Sequence, residues 1–486
     1  MARGPDPDGA LVALNRFGLG ARPGDLALAA SDPRGFLLEE LRRPRVARLE
    51  TPSLSSATAS LQAFYAAQNE MRLDREQDQA NAVARAATQA RADMQTDAPA
   101  AAMAAPVAAP KPKKEAALAS KLFHAEASAR FQKQAAATAG FVERLVAFWS
   151  NHFAVSTAKG GPMRALVGPF EREAVRPHAL GRFADLLEAV ETHPAMLFYL
   201  DNRRSIGPGS AAGRLAGRGL NENFAREILE LHTLGVDGGY SQADVIALAR
   251  ILTGWSVGEA ASESGEPGAF VFKSNWHEPG AATLLGKRYA EEGLAQGRAA
   301  LGDIARRRAT ATHVATKLAR HFVADDPPPP LVSKLADTFR RTDGDLAEVA
   351  AALVAHDLAW RAPLAKIRSP NEFLVAVGRG SGYLPSSPKP YLEMLNAMGM
   401  PLWGPPGPNG FSDATGVWAS PEGMKLRLDA AWTLAQRVKE ARSPLALLDT
   451  IGGVGAARTT RDAVAGAPSR QQALAIIFMS PEFQRR

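Results

Sequence analysis

The densest group of residues able to do chemistry lies in residues 221–240, where carboxylates, an asparagine and a histidine recur at helical spacing. Asn223 and Glu227 are four residues apart and Glu227 and Glu230 are three apart, so these three share one face of a predicted helix. His232 follows within one turn. Carboxylates and imidazoles carry protons in catalysis and also bind divalent metals. The segment therefore predicts catalytic roles for Glu227, Glu230 and His232.

Two further histidines are candidates for completing a metal site. His152 ends a strongly amphipathic predicted helix, and His277 lies in an irregular turn, where backbone geometry can redirect a side chain. With Glu227 and His232 they form a set of imidazole and carboxylate ligands typical of Zn, Mn or Fe. The sequence thus predicts a site of His152, Glu227, His232 and His277 that binds a divalent metal as cofactor.

Helical spacing argues partly against that set. On an ideal α-helix, Glu227 and His232 point about 140° apart because they are five residues apart. No His-Glu-x-x-His or Glu-x-x-His pattern occurs in the chain. Two alternatives stay open. One is metal-free acid–base chemistry; the other is a structural role, with the carboxylates paired to arginines and the histidines buried in the core.

Arg176 and Asp201 are secondary candidates. Arg176 is expected to bridge buried carboxylates with its forked guanidinium. Asp201, followed by Asn202 and two arginines, is either a corner that contacts a ligand or the end of a helix whose cations complement the helix dipole. The second interpretation is favoured.

Composition excludes several classes of function. The 486-residue chain has no cysteine, which rules out disulfides, thiol catalysis and Cys-bound metals. Its net charge of +7 is spread widely, and the longest basic run is three arginines at 306–308, so no nucleic-acid partner is expected. There is no Gly-x-Ser-x-Gly elbow, no apolar run that could cross a membrane, and no signal-peptide pattern in the first eight residues.

The elements that must position these residues are predicted to be helices. Alanine is abundant and β-branched runs are scarce, which favours a mainly α fold with one large multi-helix body and little β structure. The best candidate for a strand is residues 269–273, which end a segment rich in Gly, Ser and Glu.

Residues 57–139 are predicted to form a protruding antiparallel helical hairpin. Residues 57–94 contain no proline or glycine, and an Ala/Pro stretch at 98–112 separates them from a second helix. The chain is thereby divided into an N-terminal helical part of the body at 1–56, the hairpin at 57–139, and the main helical body at 140–486. The thin apolar stripe of the hairpin favours either a docked protein partner or a loosely packed insertion.

Several segments together resemble a bacterial family called domain of unknown function 1800. The match runs in order through nearly the whole chain, at residues 14–18 (Leu-Asn-Arg-Phe-Gly), 148–153 (Phe-Trp-Ser-Asn-His-Phe), 176–181 (Arg-Pro-His-Ala-Leu-Gly), 194–202, 221–240, 252–255 (Leu-Thr-Gly-Trp), 277–280 (His-Glu-Pro-Gly) and 402–407 (Leu-Trp-Gly-Pro-Pro-Gly). Two positions depart from the family pattern: Phe411 stands where the family usually has Trp, and Glu278 where Asp is common.

The resemblance implies a mainly helical bacterial protein without an established activity. It also implies a periplasmic or extracellular location and a secreted partner. Two functional hypotheses result. The first is a metal-dependent enzyme, hydrolytic or oxidative, with an unknown substrate; the second is a non-catalytic binding or assembly protein that acts with a secreted partner through the hairpin.

Overall fold

The computed structural model describes residues 5–93, 114–216, 219–259, 265–438, 443–453 and 456–486. These ranges contain 25 α-helices and two small antiparallel sheets, which confirms the mainly α fold. None of the helices in these ranges is long and apolar enough to cross a membrane.

The regular elements of residues 5–93 and 114–199 are all helices, joined by turns and loops. The α-helices are α1 (Pro7–Val12), α2 (Asp25–Ala30), α3 (Pro33–Arg42), α4 (Ala57–Asp93), α5 (Lys114–Ala136), α6 (Phe141–His152), α7 (Met163–Phe170), α8 (Phe183–Glu191) and α9 (Pro194–Tyr199). Local signals set several of their starts. The side chain of Asp32, for example, accepts a hydrogen bond from the backbone N–H of Gly35 before Pro33 opens α3.

The middle of the chain carries the four β-strands found among the described residues. Its elements are α10 (Gly213–Ala216), α11 (Glu222–Glu227), α12 (Gln242–Ile251), β1 (Trp255–Val257), β2 (Phe270–Phe272), β3 (Ala282–Leu284) and β4 (Lys287–Tyr289). β1 pairs antiparallel with β2, and β3 with β4. The predicted strand at 269–273 is confirmed as β2. A full capping box between Ser241 and Asp244 starts α12.

The C-terminal part is again helical. Its helices are α13 (Leu294–Ala305), α14 (Arg308–Phe322), α15 (Pro329–Arg341), α16 (Leu346–Ala355), α17 (Asp357–Arg361), α18 (Pro370–Ser381), α19 (Lys389–Ala397), α20 (Thr415–Trp418), α21 (Pro421–Arg437), α22 (Pro444–Gly452), α23 (Arg458–Ala465), α24 (Arg470–Met479) and α25 (Pro481–Gln484). A long irregular loop joins α19 to α20. We call residues 399–414 the Trp403 loop.

Three short π-helical segments interrupt the α-helical winding, at Ala13–Phe17, Glu171–Val175 and Ile228–Thr233. Each is closed by a hydrogen bond from the backbone N–H of one residue to the carbonyl of the residue five positions earlier, as from Leu234 to Leu229 at 2.9 Å. Such segments are rare and often lie at functional sites.

The predicted hairpin is antiparallel but only partly separate from the body. At the start of α5, the ammonium of Lys114 lies 2.9 Å from the carboxylate of Asp74 in α4. Described side chains from 72 to 88 are all exposed, whereas Phe123 and Phe131 of α5 are buried in the main core. The Ala/Pro connection at 98–112 lies outside the described residues. Most of α5 thus belongs to the body, and only the second half of α4 extends from it.

Candidate functional site

The segment at 221–240 is not one regular α-helix. The side chain of Asn221 caps α11, and after Glu227 the chain continues as the π-helix Ile228–Thr233. A π-helix has more residues per turn than an α-helix because its hydrogen bonds span five residues. The angle around the helix axis between Glu227 and His232 is therefore smaller than the roughly 140° expected on an ideal α-helix. Burial raises the pKa of Glu227, and Glu230 adds to the rise, whereas His232 opposes it.

His232 forms a buried pair with a carboxylate that the sequence analysis did not single out. Its Nδ1–H donates to Oε1 of Glu191, at the end of α8, over 2.7 Å, and neither side chain is exposed to solvent. Within the described part of the chain, Nε2 of His232 and the second oxygen of Glu191 have no hydrogen-bond partner. Both side chains of this pair lie in the core, away from solvent.

His152 lies next to that pair. Its Nε2–H donates to the backbone carbonyl of His232 at 3.0 Å, and the two ring centres are 6.4 Å apart. Burial holds the pKa of His152 well below its usual value, and the nearby Lys317, His313 and His232 lower it further. His152 is therefore neutral, with the nitrogen that faces His232 engaged by a carbonyl.

His277 is positioned by a different part of the fold. Its Nδ1–H donates to the carbonyl of Thr253 at 3.1 Å, and its ring meets the edge of Phe272 in β2. The neighbouring Glu278 accepts a hydrogen bond from the backbone N–H of Gly209 at 2.7 Å. The motif at 277–280 thus joins the β1–β2 sheet to the glycine-rich loop before α10.

The four predicted metal ligands do not converge on one point. The structure brings His152 and His232 together, and Glu227 lies near enough to His232 to feel its charge, whereas the contacts of His277 are with Thr253 and Phe272. Among the described residues, no group of three or more His, Asp or Glu side chains is arranged to hold a metal ion. The contacts observed for His152, His232 and His277 are those of buried histidines in the core.

The remaining predicted residues of this set lie at the surface or near it. Glu230 accepts a hydrogen bond from the hydroxyl of Tyr240 at 3.3 Å, and Asn223 is exposed. Asp201 adopts a left-handed conformation with φ of 60° at the end of α9 and pairs with Lys159 at 2.5 Å. That position agrees with the favoured interpretation of Asp201 as a helix end.

Arg176 bridges two buried carboxylates, as its sequence context predicted. Its guanidinium holds both oxygens of Glu143 at 2.8 and 2.9 Å and also contacts Glu171 at 2.9 Å. Glu171 in turn pairs with Arg130 at 2.9 Å and accepts the indole N–H of Trp403 at 2.9 Å. This network connects α5, α6 and the π-helix Glu171–Val175 to the Trp403 loop.

A group of charged side chains lies beside an open cavity elsewhere in the fold, in what we call the central pocket. It has an empty volume of about 940 Å³, counted with the solvent at its mouth. Its walls come from α6, α14, the start of α18, the Trp403 loop and Arg486. Its charged and aromatic lining includes Arg144, His321, Glu372, Phe411, Asp413, Trp418 and Arg486.

A histidine and an aspartate form a dyad in this pocket. Nδ1–H of His321 donates to Oδ1 of Asp413 at 2.7 Å, and Nη2 of Arg144 lies 3.3 Å from Nε2 of His321. Burial lowers the pKa of His321, although Asp413 opposes this effect. Burial alone would raise the pKa of Asp413, but His321, Arg486 and Lys366 outweigh it and hold the value at about 2. At neutral pH the dyad is therefore a neutral imidazole oriented by a carboxylate.

A chain of charges holds the dyad in place. Glu372 lies 3.0 Å from Arg144 and 2.9 Å from Arg486, whose Nη1–H donates to the backbone carbonyl of His321 at 2.6 Å. Lys366 donates to the backbone carbonyl of Asp413 at 2.7 Å. Both members of the dyad are thus fixed through backbone and side chain, which is the preorganisation that acid–base catalysis requires.

The Trp403 loop is clamped over the pocket by α6 and the residues after it. The side chain of Asn151 donates to the carbonyl of Phe411 at 2.9 Å and accepts its N–H at 2.8 Å. Gly410 has φ of +76°, and a Cβ there would lie 2.4 Å from the carbonyl oxygen of Asn151, so glycine is required at this close approach. The hydroxyl of Ser156 donates to the carbonyl of Pro405 at 2.8 Å.

The sequence analysis missed His321, Asp413, Arg144, Glu372 and Arg486. One local signal was present: His313, Lys317 and His321 are spaced four residues apart along α14 and therefore share a face. Burial lowers the pKa of Lys317 to about 8. No local pattern links His321 to Asp413, because they are 92 residues apart.

Comparison with known proteins agrees with the resemblance seen in the motifs. No curated protein and no solved structure shows significant similarity to this chain. The family profile described as "Protein of unknown function (DUF1800)" matches residues 12–485, which include every motif segment and both members of the dyad. The chain therefore belongs to the DUF1800 family.

Proposed function

We propose that this protein is an enzyme that hydrolyses a small molecule by acid–base catalysis in the central pocket. The observation that carries the proposal is the dyad: a neutral His321, oriented by Asp413 over 2.7 Å, lines a cavity beside Arg144. Because burial lowers the pKa of His321 below its ordinary value, the imidazole is deprotonated and available as a base at physiological pH.

Each residue has a distinct role in the proposed reaction. Nε2 of His321 takes a proton from a water molecule, whose oxygen forms a bond to a carbonyl carbon of the substrate. Arg144 stabilises the negative charge that develops on the carbonyl oxygen. When the bond from that carbon to the leaving group breaks, the imidazolium returns the proton to the leaving oxygen or nitrogen. Asp413 keeps the ring oriented and stabilises its protonated form.

The contact between Arg144 and Nε2 of His321 is compatible with this mechanism. At 3.3 Å it is a long hydrogen bond, and a water molecule or substrate oxygen can take its place between the two groups. Removal of Arg144 is then expected to reduce kcat more than it raises KM.

The test is hydrolysis of a panel of chromogenic esters and amides by the purified protein. We expect H321Q and D413N to lower kcat/KM by about 10²- to 10⁴-fold, the range typical of lost general-base catalysis. H313Q is the matched control, because His313 lies two turns away on the same helix and outside the lining of the central pocket. Equal activity of H321Q and H313Q would refute the proposal.

The metal-dependent enzyme predicted from the sequence is a separate proposal with a separate test. Protein purified without a histidine tag is analysed for Zn, Mn and Fe, and activity is measured with added metal and with a chelator. Metal-dependent activity that is lost in H152Q and H232Q but kept in H321Q would favour the sequence-based site over the dyad.

The exposed end of α4 supports a second candidate function, docking of a protein partner. Described side chains from 72 to 88 are all exposed, so about 25 Å of helix is open to solvent there, apart from the ion pair between Asp74 and Lys114. A variant that lacks residues 75–112 tests this idea, since the ends to be joined lie beside each other where Lys114 meets Asp74. Unchanged binding of a co-purifying partner would count against it.

A further inference from the structure

A second cavity, which we call the apolar groove, lies on the other side of the Trp403 loop. It has an empty volume of about 1440 Å³, open solvent included. Its apolar lining includes Met398, Pro401, Pro406, Val417, Trp418 and Leu426. A surface of this kind gains free energy when an aliphatic or aromatic group displaces water from it.

The groove and the central pocket share part of their walls. Pro401, Pro405, Phe411, Ser412 and Trp418 line both cavities. The rings of Phe411 and Trp418 lie 6.5 Å apart at this boundary, and Ser412 and Asp413 are adjacent in the chain. The two cavities are therefore immediate neighbours, separated by the side chains that they share.

The charges of the two cavities differ. Glu422 and Arg427 are the charged residues among those that line the groove, and Arg427 is engaged by the backbone carbonyls of Trp418 and Arg368 and by Gln484. The central pocket instead carries Arg144, Glu372, Asp413 and Arg486 around His321. The charged groups and the dyad thus lie in the central pocket, and the neighbouring groove is largely apolar.

From this arrangement we infer that the substrate is an ester with an apolar acyl chain, whose carbonyl carbon lies at the His321–Asp413 dyad and whose acyl chain occupies the apolar groove. The inference rests on the proposed hydrolytic function. In the reaction, water adds to the acyl carbon, the carbon–oxygen bond to the alcohol breaks, and the products are a carboxylic acid with the apolar chain and the free alcohol.

The first experiment measures how activity depends on chain length. The probes are p-nitrophenyl acetate, butyrate, hexanoate and octanoate. Burial of one methylene group is expected to raise kcat/KM by about fourfold until the groove is filled. A rate that is independent of chain length, or that falls from acetate to octanoate, would overturn the assignment of the groove while leaving the dyad in place.

The second experiment places a charge in the groove. Val417 is 51% exposed, so V417D is expected to fold and to lower the ratio of kcat/KM for octanoate to kcat/KM for acetate at least tenfold. The matched control is V83D, since Val83 is 71% exposed on α4, away from both cavities. Identical chain-length profiles for V417D and V83D would contradict the inference.

A binding measurement separates this inference from the proposed catalysis. Octanoate and acetate are titrated into the wild-type protein, V417D, V83D and H321Q by calorimetry. We expect octanoate to bind more tightly than acetate to the wild type, V83D and H321Q, and at least tenfold more weakly to V417D. If this pattern holds although no ester is hydrolysed, the groove is supported and the hydrolytic function fails. If octanoate and acetate bind equally, the groove fails whatever the activity.

Discussion

At the scale of single residues, the surroundings of a histidine decide whether it can act as a base. His152 and His232 lie among Phe148, Trp149 and Phe153 in the core, and their contacts are with a carbonyl and with Glu191. His321 has a similar carboxylate partner, but it lines the central pocket. Access to the ring, more than the histidine–carboxylate pair itself, distinguishes the two places.

Replacement of Arg176 by methionine is expected to destabilise the protein by about 3–5 kcal/mol, because Glu143 would be left buried without its main countercharge. Urea or thermal unfolding measures the loss. The control is R182M: Arg182 pairs with Asp343 at the surface, where its side chain is 51% exposed, and the expected change is below about 1 kcal/mol. Comparable losses in the two variants would show that the buried bridge contributes little.

Acid is expected to destabilise the protein below about pH 6.5. Burial lowers the pKa of His152, His313 and His321, with His313 at about 4. As the pH falls, these histidines therefore bind protons in the unfolded chain before they do so in the folded protein. Their contribution to stability is complete above the ordinary pKa of histidine and decreases between that pKa and the lowered pKa values of the folded protein. Measurement of the free energy of unfolding between pH 8 and pH 4 checks this. In H313Q, the free energy of unfolding should decrease less steeply with falling pH, by at most about 1.4 kcal/mol per pH unit.

At the scale of elements, the three π-helical segments all carry buried polar residues. Ala13–Phe17 contains Arg16, whose guanidinium donates to the carbonyl of Ala359 at 2.7 Å. Glu171–Val175 contains Glu171, and Ile228–Thr233 contains His232. The extra residue in each wide turn shifts the following side chains around the helix axis. The irregular winding thereby determines which polar groups meet inside the protein.

The Trp403 loop is an irregular element that a few hydrogen bonds hold against α6. Replacement of Asn151 by alanine removes both hydrogen bonds to the backbone of Phe411. The loss of a hydrogen bond costs about 1–3 kcal/mol when it leaves a buried partner unsatisfied. We expect faster proteolysis within residues 399–414 and a lower kcat/KM, with little change in the main unfolding transition. N81A, at an exposed site on α4, should behave as the wild type; loop cleavage at the wild-type rate in N151A would refute the clamp.

At the scale of the whole molecule, the predicted hairpin is divided between an extension and the core. Arg130 of α5 pairs with Glu171, and Phe123 lies against Trp403, so α5 supports the Trp403 loop from inside the body. The predicted hairpin at 57–139 therefore contains a core helix. A deletion with those limits removes part of the fold together with the exposed helix end.

Two deletions should separate these parts. Loss of residues 57–139 is expected to give unfolded or aggregated protein, because Phe123, Phe131 and Arg130 are removed from the core. Loss of residues 75–112 should leave a cooperatively folded protein, since described side chains from 75 to 88 are exposed. Circular dichroism and thermal unfolding distinguish the outcomes. Folded protein from the first deletion would show that α5 is dispensable.

The sequence alone determined what depends on neighbours within a few turns. It predicted the mainly α class, the long helix at 57–94, the strand at 269–273 and the buried bridge by Arg176, because propensity, capping and helical spacing are local. It could not determine which distant side chains meet. His321 and Asp413 are brought together by packing of α14 against the Trp403 loop, and Glu191 reaches His232 from another helix. The π-helical winding at Ile228–Thr233 was equally hidden, because it depends on the contacts of that helix in the core. Tertiary packing therefore decided which of the many histidines and carboxylates share a cavity.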